Sequence, residues 1–157
     1  MTKFQLKNFF KLLYEVILVF IQFFIISLHF FQLEFLPKKQ IIQASPFFYF
    51  LGILIIIIAL IIMLISIKDL GRNLSPFPRP INNSNLVTTG IYRFIRHPMY
   101  YSLIFISLGV FITKLSIYYL FLSISLALII KFKIALEEKY LMNKFKNYLL
   151  YKKEVKV

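Results

Sequence analysis

The chain contains no cysteine and no tryptophan. Without cysteine it can form no disulfide, no thiol nucleophile and no thiolate metal site. Its two histidines, His29 and His97, stand far apart in the sequence, which argues against a zinc site. Negative charge is scarce as well, with six Asp and Glu against nineteen Lys and Arg, for a net charge of +13. In a soluble protein that imbalance would point to nucleic acid. Here 60% of the 157 residues are hydrophobic, and a soluble domain would be closer to half. An integral membrane protein is expected, and its basic residues lie on loops and tails beside apolar spans. That placement fits anchoring to anionic lipid, so no nucleic-acid partner is expected. The bias toward Ile, Phe, Lys, Asn and Tyr fits an AT-rich bacterial genome and hence a bacterial inner membrane.

Long apolar runs dominate what is present. Val16 to Leu33 and Phe47 to Ile67 are 18 and 21 residues long, the second without any charge. Each meets the roughly 20 residues needed to cross about 30 Å of hydrocarbon. The first run is not followed by a small-residue cleavage site, so it reads as retained rather than as a signal peptide. A third run, Met99 to Ile130, is interrupted only by Lys114. As one helix it would extend about 48 Å and hold that lysine at mid-membrane, an expensive position. A hairpin turning at Thr113-Lys114-Leu115 removes both difficulties. The expected fold is all-α: a single membrane domain, residues 1–157, of about four transmembrane helices, the last two forming the hairpin. Two N-terminal helices would occupy residues 1–68.

Charge sets the expected orientation. Three basic residues precede the first run, five lie between Lys68 and Arg96 and eight in the tail from Lys131; Lys38, Lys39 and Lys114 fall on the opposite side. By the positive-inside rule both termini, the Lys68–Arg96 connection and a helical tail are cytoplasmic. That connection contains SPFPRP, Ser75 to Pro80, which cannot be regular helix, and NNSN, Asn82 to Asn85, a turn or loop cluster. It is expected to fold back as a lid over the cytoplasmic face.

Between this connection and the third run lies GIYRFIRHPMYYS, Gly90 to Ser102. Arg93, Arg96 and His97 share five residues there, flanked by Tyr92 and Tyr100, and Pro98 begins the next helix. Ionisable groups at a bilayer edge either anchor the protein or serve a site. The anchor reading applies most directly to Arg93 and Arg96, while His29, in the first span, reads as a packed histidine.

Three segments, GRNLSPFP (71–78), LVTTGIY (86–92) and RHPMY (96–100), followed downstream by EEKYLMNKFKNYLLY (137–151), resemble the isoprenylcysteine carboxyl methyltransferase family and its phospholipid methyltransferase relatives. The resemblance covers roughly Asp69 to Val155, a methyltransferase-like region at 69–157, and implies an S-adenosylmethionine-dependent methyltransferase with the cofactor at the cytoplasmic end of the bundle. Carried over by motif, cofactor contacts fall on Leu86, Val87, Tyr92, His97, Pro98, Met99, Tyr100 and Glu137. The position where the family often has a substrate-holding arginine is Lys133 here, an ammonium that cannot reproduce the forked contact of a guanidinium. Ser102 and Lys146 also replace glycines of the pattern. With a neutral acceptor, Lys133 would be an interfacial anchor with its head in water, and its loss nearly silent.

The chemistry suits these residue types. Methyl transfer from a sulfonium is an in-line displacement that needs alignment and a dry site, with no metal and no protein nucleophile. A glutamate accepts hydrogen bonds from a ribose diol or an ammonium, tyrosines present ring faces with hydroxyl tips, and Pro98 suits a first helical turn beside unpaired N–H groups. Neighbouring helical residues point about 100° apart, so one of Glu137 and Glu138 is expected to face the site; Glu137 is the choice and Glu138 the milder position. Tyr148 and Tyr151 are expected to fix the tail against the interface. The acceptor, lipophilic or small, is open between carboxylate, thiol, phospholipid amine and isoprenoid head group, as is the oligomeric state. Two other functions compete: an NADPH-binding reductase related to sterol reductases, and a non-enzymatic four-helix membrane protein.

Overall fold

The computed structural model describes residues 3–31 and 45–155, and among these there is no strand. The helices are α1 (Lys3–Leu28), α2 (Pro46–Leu70), α3 (Pro98–Lys114), α4 (Ile117–Lys144) and α5 (Tyr148–Glu154), with 3-10 turns at Gly71–Asn73 and Gly90–Arg93. Stretches Phe9–Leu28, Pro46–Asn73 and Ile117–Lys144 are long and apolar enough to cross a membrane, whereas Pro98–Lys114 is shorter. This is the composition of an integral membrane protein, and the outward-facing Phe, Leu and Ile of α1 and α2 are the surface that hydrocarbon would cover. The lysines expected on the opposite side at positions 38 and 39 lie outside the described residues.

The third apolar run breaks where its lysine predicts. Helix α3 ends at Lys114, and Leu115 adopts φ 45°, the one positive φ at a non-glycine among the described residues. Its N–H donates to the Phe111 carbonyl at 2.7 Å, closing the helix in the left-handed cap geometry more often given to glycine. The chain then reverses into α4, which packs back on α3.

The tightest pairing joins α2 to α3 through small residues. Gly52, Ala59 and Ser66 form the buried stripe of α2, spaced so as to share one face. A β-carbon on Gly52 would sit 2.6 Å from the Gly109 carbonyl oxygen, and one on Gly109 2.9 Å from that of Gly52. Backbones therefore meet directly, the usual source of helix affinity where apolar burial gives little between lipid-solvated helices.

Helix α1 lies on α4 and buries Glu15, Leu18, Gln22 and Ile25, a three-four spacing that makes one stripe. Above it, His29 Nε2 contacts Ser107 Oγ at 2.7 Å and its Nδ1 the Ile25 carbonyl at 2.9 Å. A carbonyl only accepts, so Nδ1 donates and Nε2 accepts from the serine. Ser107 pairs in turn with Ser123 at 2.9 Å. His29 is thus a packed, satisfied histidine joining α1, α3 and α4.

At the other end, α5 folds under the bundle. Tyr148, Tyr151 and Val155 are buried and pack with Leu86, Leu141 and Phe145. The tail tyrosines, expected to fix the tail against the interface, are interior groups that fix it to the 86–100 segment, the Tyr151 hydroxyl donating to the Tyr92 carbonyl at 2.6 Å.

Candidate functional site

The Gly90–Arg93 turn is fixed by the end of α2. Asp69 Oδ2 accepts from the Ile91 N–H at 2.8 Å. Gly90 has φ 60°, a conformation that favours glycine, and a β-carbon there would lie 2.0 Å from that oxygen and displace the carboxylate that fixes the turn. The turn delivers Tyr92, which is buried, and the chain then enters α3 with His97 at the N-cap position and Pro98 in the first turn.

Residues 74–87 form a strap across this end of the bundle. Asn73 and Asn85 tie its two limbs together, the Asn85 N–H donating to Asn73 Oδ1 at 3.2 Å. Its asparagine half is held by Lys144, which donates to the Ile81 and Asn82 carbonyls and to Ser84 Oγ. Beneath the strap is a cavity whose walls include Phe77, Pro78, Leu86 and Val87 on one side and Tyr92, His97, Met99, Tyr100, Glu137 and Tyr148 on the other.

Seven of the eight residues that the motifs assign to the cofactor therefore line one cavity. Pro98 does not: it is fully buried in the first turn of α3, where it shapes the helix start. Glu137 is the single acidic side chain in the lining, and its carboxylate interacts with the Tyr100 hydroxyl, His97 and Lys133. The His97 and Tyr100 rings stack, with centroids 5.9 Å apart at 29°. His97 is buried, and its Nε2 has no aligned hydrogen-bond partner; nor has the Tyr148 hydroxyl. Burial pushes the Tyr92 and Tyr148 hydroxyls well above the ordinary tyrosine range and Tyr151 up to about 12, so these groups are neutral donors rather than bases.

Glu138 is absent from the cavity wall and carries structural contacts instead. It accepts from Arg96 Nε at 3.0 Å and from Lys152 Nζ at 2.6 Å, and lies 3.4 Å from His97 Nε2. Arg96 also donates to the Lys152 and Val155 carbonyls. Arg96 and Glu138 thus clasp the motif loop, α4 and α5 into one unit, which replaces the anchor reading of Arg96; Arg93 is exposed and fits that reading.

Lys133 is absent from the cavity wall. It is 1% exposed, so its head does not reach water. Its ammonium donates to Gln22 Oε1 at 2.6 Å and the Pro76 carbonyl at 2.9 Å, and sits 5.3 Å from the centre of the Tyr100 ring. Sequence reasoning missed Glu15, Gln22 and Arg79, described below; polar residues within or beside an apolar span were the available signal.

A model of the phospholipid methyltransferase family matches residues 47–148, well over half of the chain. The chain belongs to that family, and is accordingly an integral membrane protein of a methyltransferase family. The match takes in α2, ahead of the segments that carried the resemblance, and leaves α1 and most of α5 outside. Comparison with curated proteins and with solved structures returns no match.

Proposed function

We propose that the chain binds S-adenosylmethionine in the cavity beneath the strap and transfers its methyl group to a lipophilic or small acceptor arriving from the bilayer. The observation that carries this reading is the convergence of Leu86, Val87, Tyr92, His97, Met99, Tyr100 and Glu137 on one cavity, where the His97 and Tyr100 rings stack. The residues fit the group. Glu137 is a carboxylate for an ammonium or a ribose diol, the His97 and Tyr100 rings present stacked faces, and Leu86, Val87 and Met99 supply apolar wall. When bound, the cofactor supplies an electrophilic methyl on a sulfonium, displaced in line by the acceptor. The protein's part is to bind, align and exclude water. The strap covers the cavity, and the neutral tyrosines place hydroxyls without adding a competing nucleophile.

The test is equilibrium binding of S-adenosylmethionine and of NADPH to purified protein in micelles. Binding of the first and not the second is the expected result, weakened in His97→Ala and Tyr100→Ala. Binding of NADPH alone would move the chain to the reductase reading, and binding of neither would leave a non-enzymatic membrane protein.

The topology belongs to the same proposal. Four crossings place both termini and the 68–96 connection in the cytoplasm, sixteen basic residues against three, and α3 crosses as the shorter partner of the hairpin. The chain has no cysteine of its own, so labelling of Lys114→Cys reads this cleanly. Modification from the outer side is expected; modification only from the cytoplasm would refute the fourth crossing.

A further inference from the structure

Helix α1 lies outside the family match at residues 47–148, yet half of its buried stripe is polar. Glu15 is 1% and Gln22 6% exposed. A carboxylate and an amide in an apolar spanning helix are costly unless partnered, and the partners of both lead to the strap. Glu15 Oε1 accepts from Arg79 Nη2 at 3.0 Å and from the Tyr140 hydroxyl of α4. Gln22 Oε1 accepts from Lys133 of α4, which in turn donates to the Pro76 carbonyl. Seven residues apart, Glu15 and Gln22 share one face of α1, about 10 Å from each other along its axis. The two contacts therefore grip the proline-rich limb of the strap at Pro76 and at Arg79.

That limb is poorly able to hold itself. Pro76, Pro78 and Pro80 have no N–H to donate, and the Phe77 N–H is taken locally by Ser75 Oγ at 3.1 Å. Its position is set by side chains from elsewhere. Arg79 and Pro78 belong to the cavity wall, so whatever fixes them fixes the roof of the site. Lys11 and Arg79 both lie over the Tyr140 ring, at 4.4 and 5.7 Å, which adds cations to the same joint, and the Glu15 carboxylate raises Arg79 above its ordinary range.

We infer that α1 is a latch: Glu15 and Gln22 are positioning residues that hold the 74–80 limb of the strap closed, through Arg79 and through Lys133 with Pro76, and so set how long the cofactor stays bound. Neither residue lines the cavity. The inference rests on the S-adenosylmethionine reading above for the ligand, but not for the latch itself.

The test uses the full chain carrying one spin label at Leu74→Cys, an exposed position of the 74–80 limb outside the cavity wall. Glu15→Ala, Glu15→Gln and Gln22→Leu are compared with the parent for label mobility without ligand and for the dissociation rate of S-adenosylmethionine. Greater mobility is expected in Glu15→Ala and Gln22→Leu, with dissociation about tenfold faster, equivalent to about 1.4 kcal/mol if association is unchanged. Glu15→Gln keeps an acceptor oxygen without the charge and should fall between, which guards against misreading a variant that fails to fold. Unchanged spectra in all three variants would overturn the latch. So would greater mobility with unchanged dissociation, since the strap would then move without governing the ligand. A parent protein that never binds S-adenosylmethionine would instead remove the cofactor reading, and the label spectra alone would still decide whether α1 holds the strap.

Discussion

Glu137→Ala and Glu138→Ala are expected to fail in different ways despite being adjacent. Among the described residues Glu137 is the only acidic group in the cavity wall, facing Tyr100 and His97. Losing a hydrogen bond to a charged group costs about 1.5–3 kcal/mol, roughly 10- to 150-fold in affinity. The fold should survive, because the partners of Glu137 keep other contacts: His97 and Tyr100 remain stacked and Lys133 keeps Gln22 and Pro76. Glu138 instead neutralises Arg96 and Lys152, whose side chains are 14% and 38% exposed. Removing the carboxylate leaves a buried guanidinium without its anion. A fully buried case costs about 3–5 kcal/mol, and the partial exposure of Lys152 brings the expectation to about 3 kcal/mol. Arg96 also holds the Lys152 and Val155 carbonyls, so α5 should detach first. Calorimetry with S-adenosylmethionine measures one effect; unfolding in mixed micelles and proteolysis of the tail measure the other. If both variants lost affinity and stability equally, the two carboxylates would share one role and the division drawn here would be wrong.

The contrast between the two glutamates marks how far sequence reasoning reaches. Helical spacing turns Glu137 and Glu138 to different faces, and Glu137, the choice by motif order, is the one that lines the cavity. Nothing local shows where the face of Glu138 leads. Glu138 meets Arg96 across 42 positions, a contact made only once α3 and α4 close their hairpin, and α5 then adds Lys152 to it. The hairpin was legible because a lone lysine in a long apolar run leaves few arrangements. The strap was legible as an irregular segment from its prolines, but not its attachment, since Arg79 reaches Glu15 across 64 positions and Lys133 reaches Gln22 across 111. Local propensity sets the elements, and spacing sets their faces. Long-range polar pairs carry much of the remaining information at this end of the bundle, and single residues such as Gln22 do not advertise their partners.

Lys133→Ala is expected to be destabilising rather than silent, by about 3 kcal/mol. As an anchor with its head in water, this lysine would be dispensable; at 1% exposure its ammonium is instead the shared donor of Gln22 Oε1 and the Pro76 carbonyl. Truncation leaves the buried Gln22 acceptor unpaired, at about 1–3 kcal/mol, frees the partly buried Pro76 carbonyl at a smaller cost, and empties the space of the stem. Relief from desolvating the ammonium offsets part of that sum. Lys133→Met, which keeps the stem and loses the donor, should recover part of the loss. Lys133→Arg should not restore the parent, because a wider guanidinium must fit a closed site beside the Tyr100 ring, 5.3 Å from the present nitrogen. Unfolding in mixed micelles ranks the variants, expected in the order parent, Met, Ala, with Arg below the parent. Parental stability in Lys133→Ala, together with a higher kcat/KM in Lys133→Arg, would return this residue to the substrate and refute its structural role. A fall in stability for all three would make the lysine in the family's arginine position a part of the roof of the site, with the acceptor held by other groups.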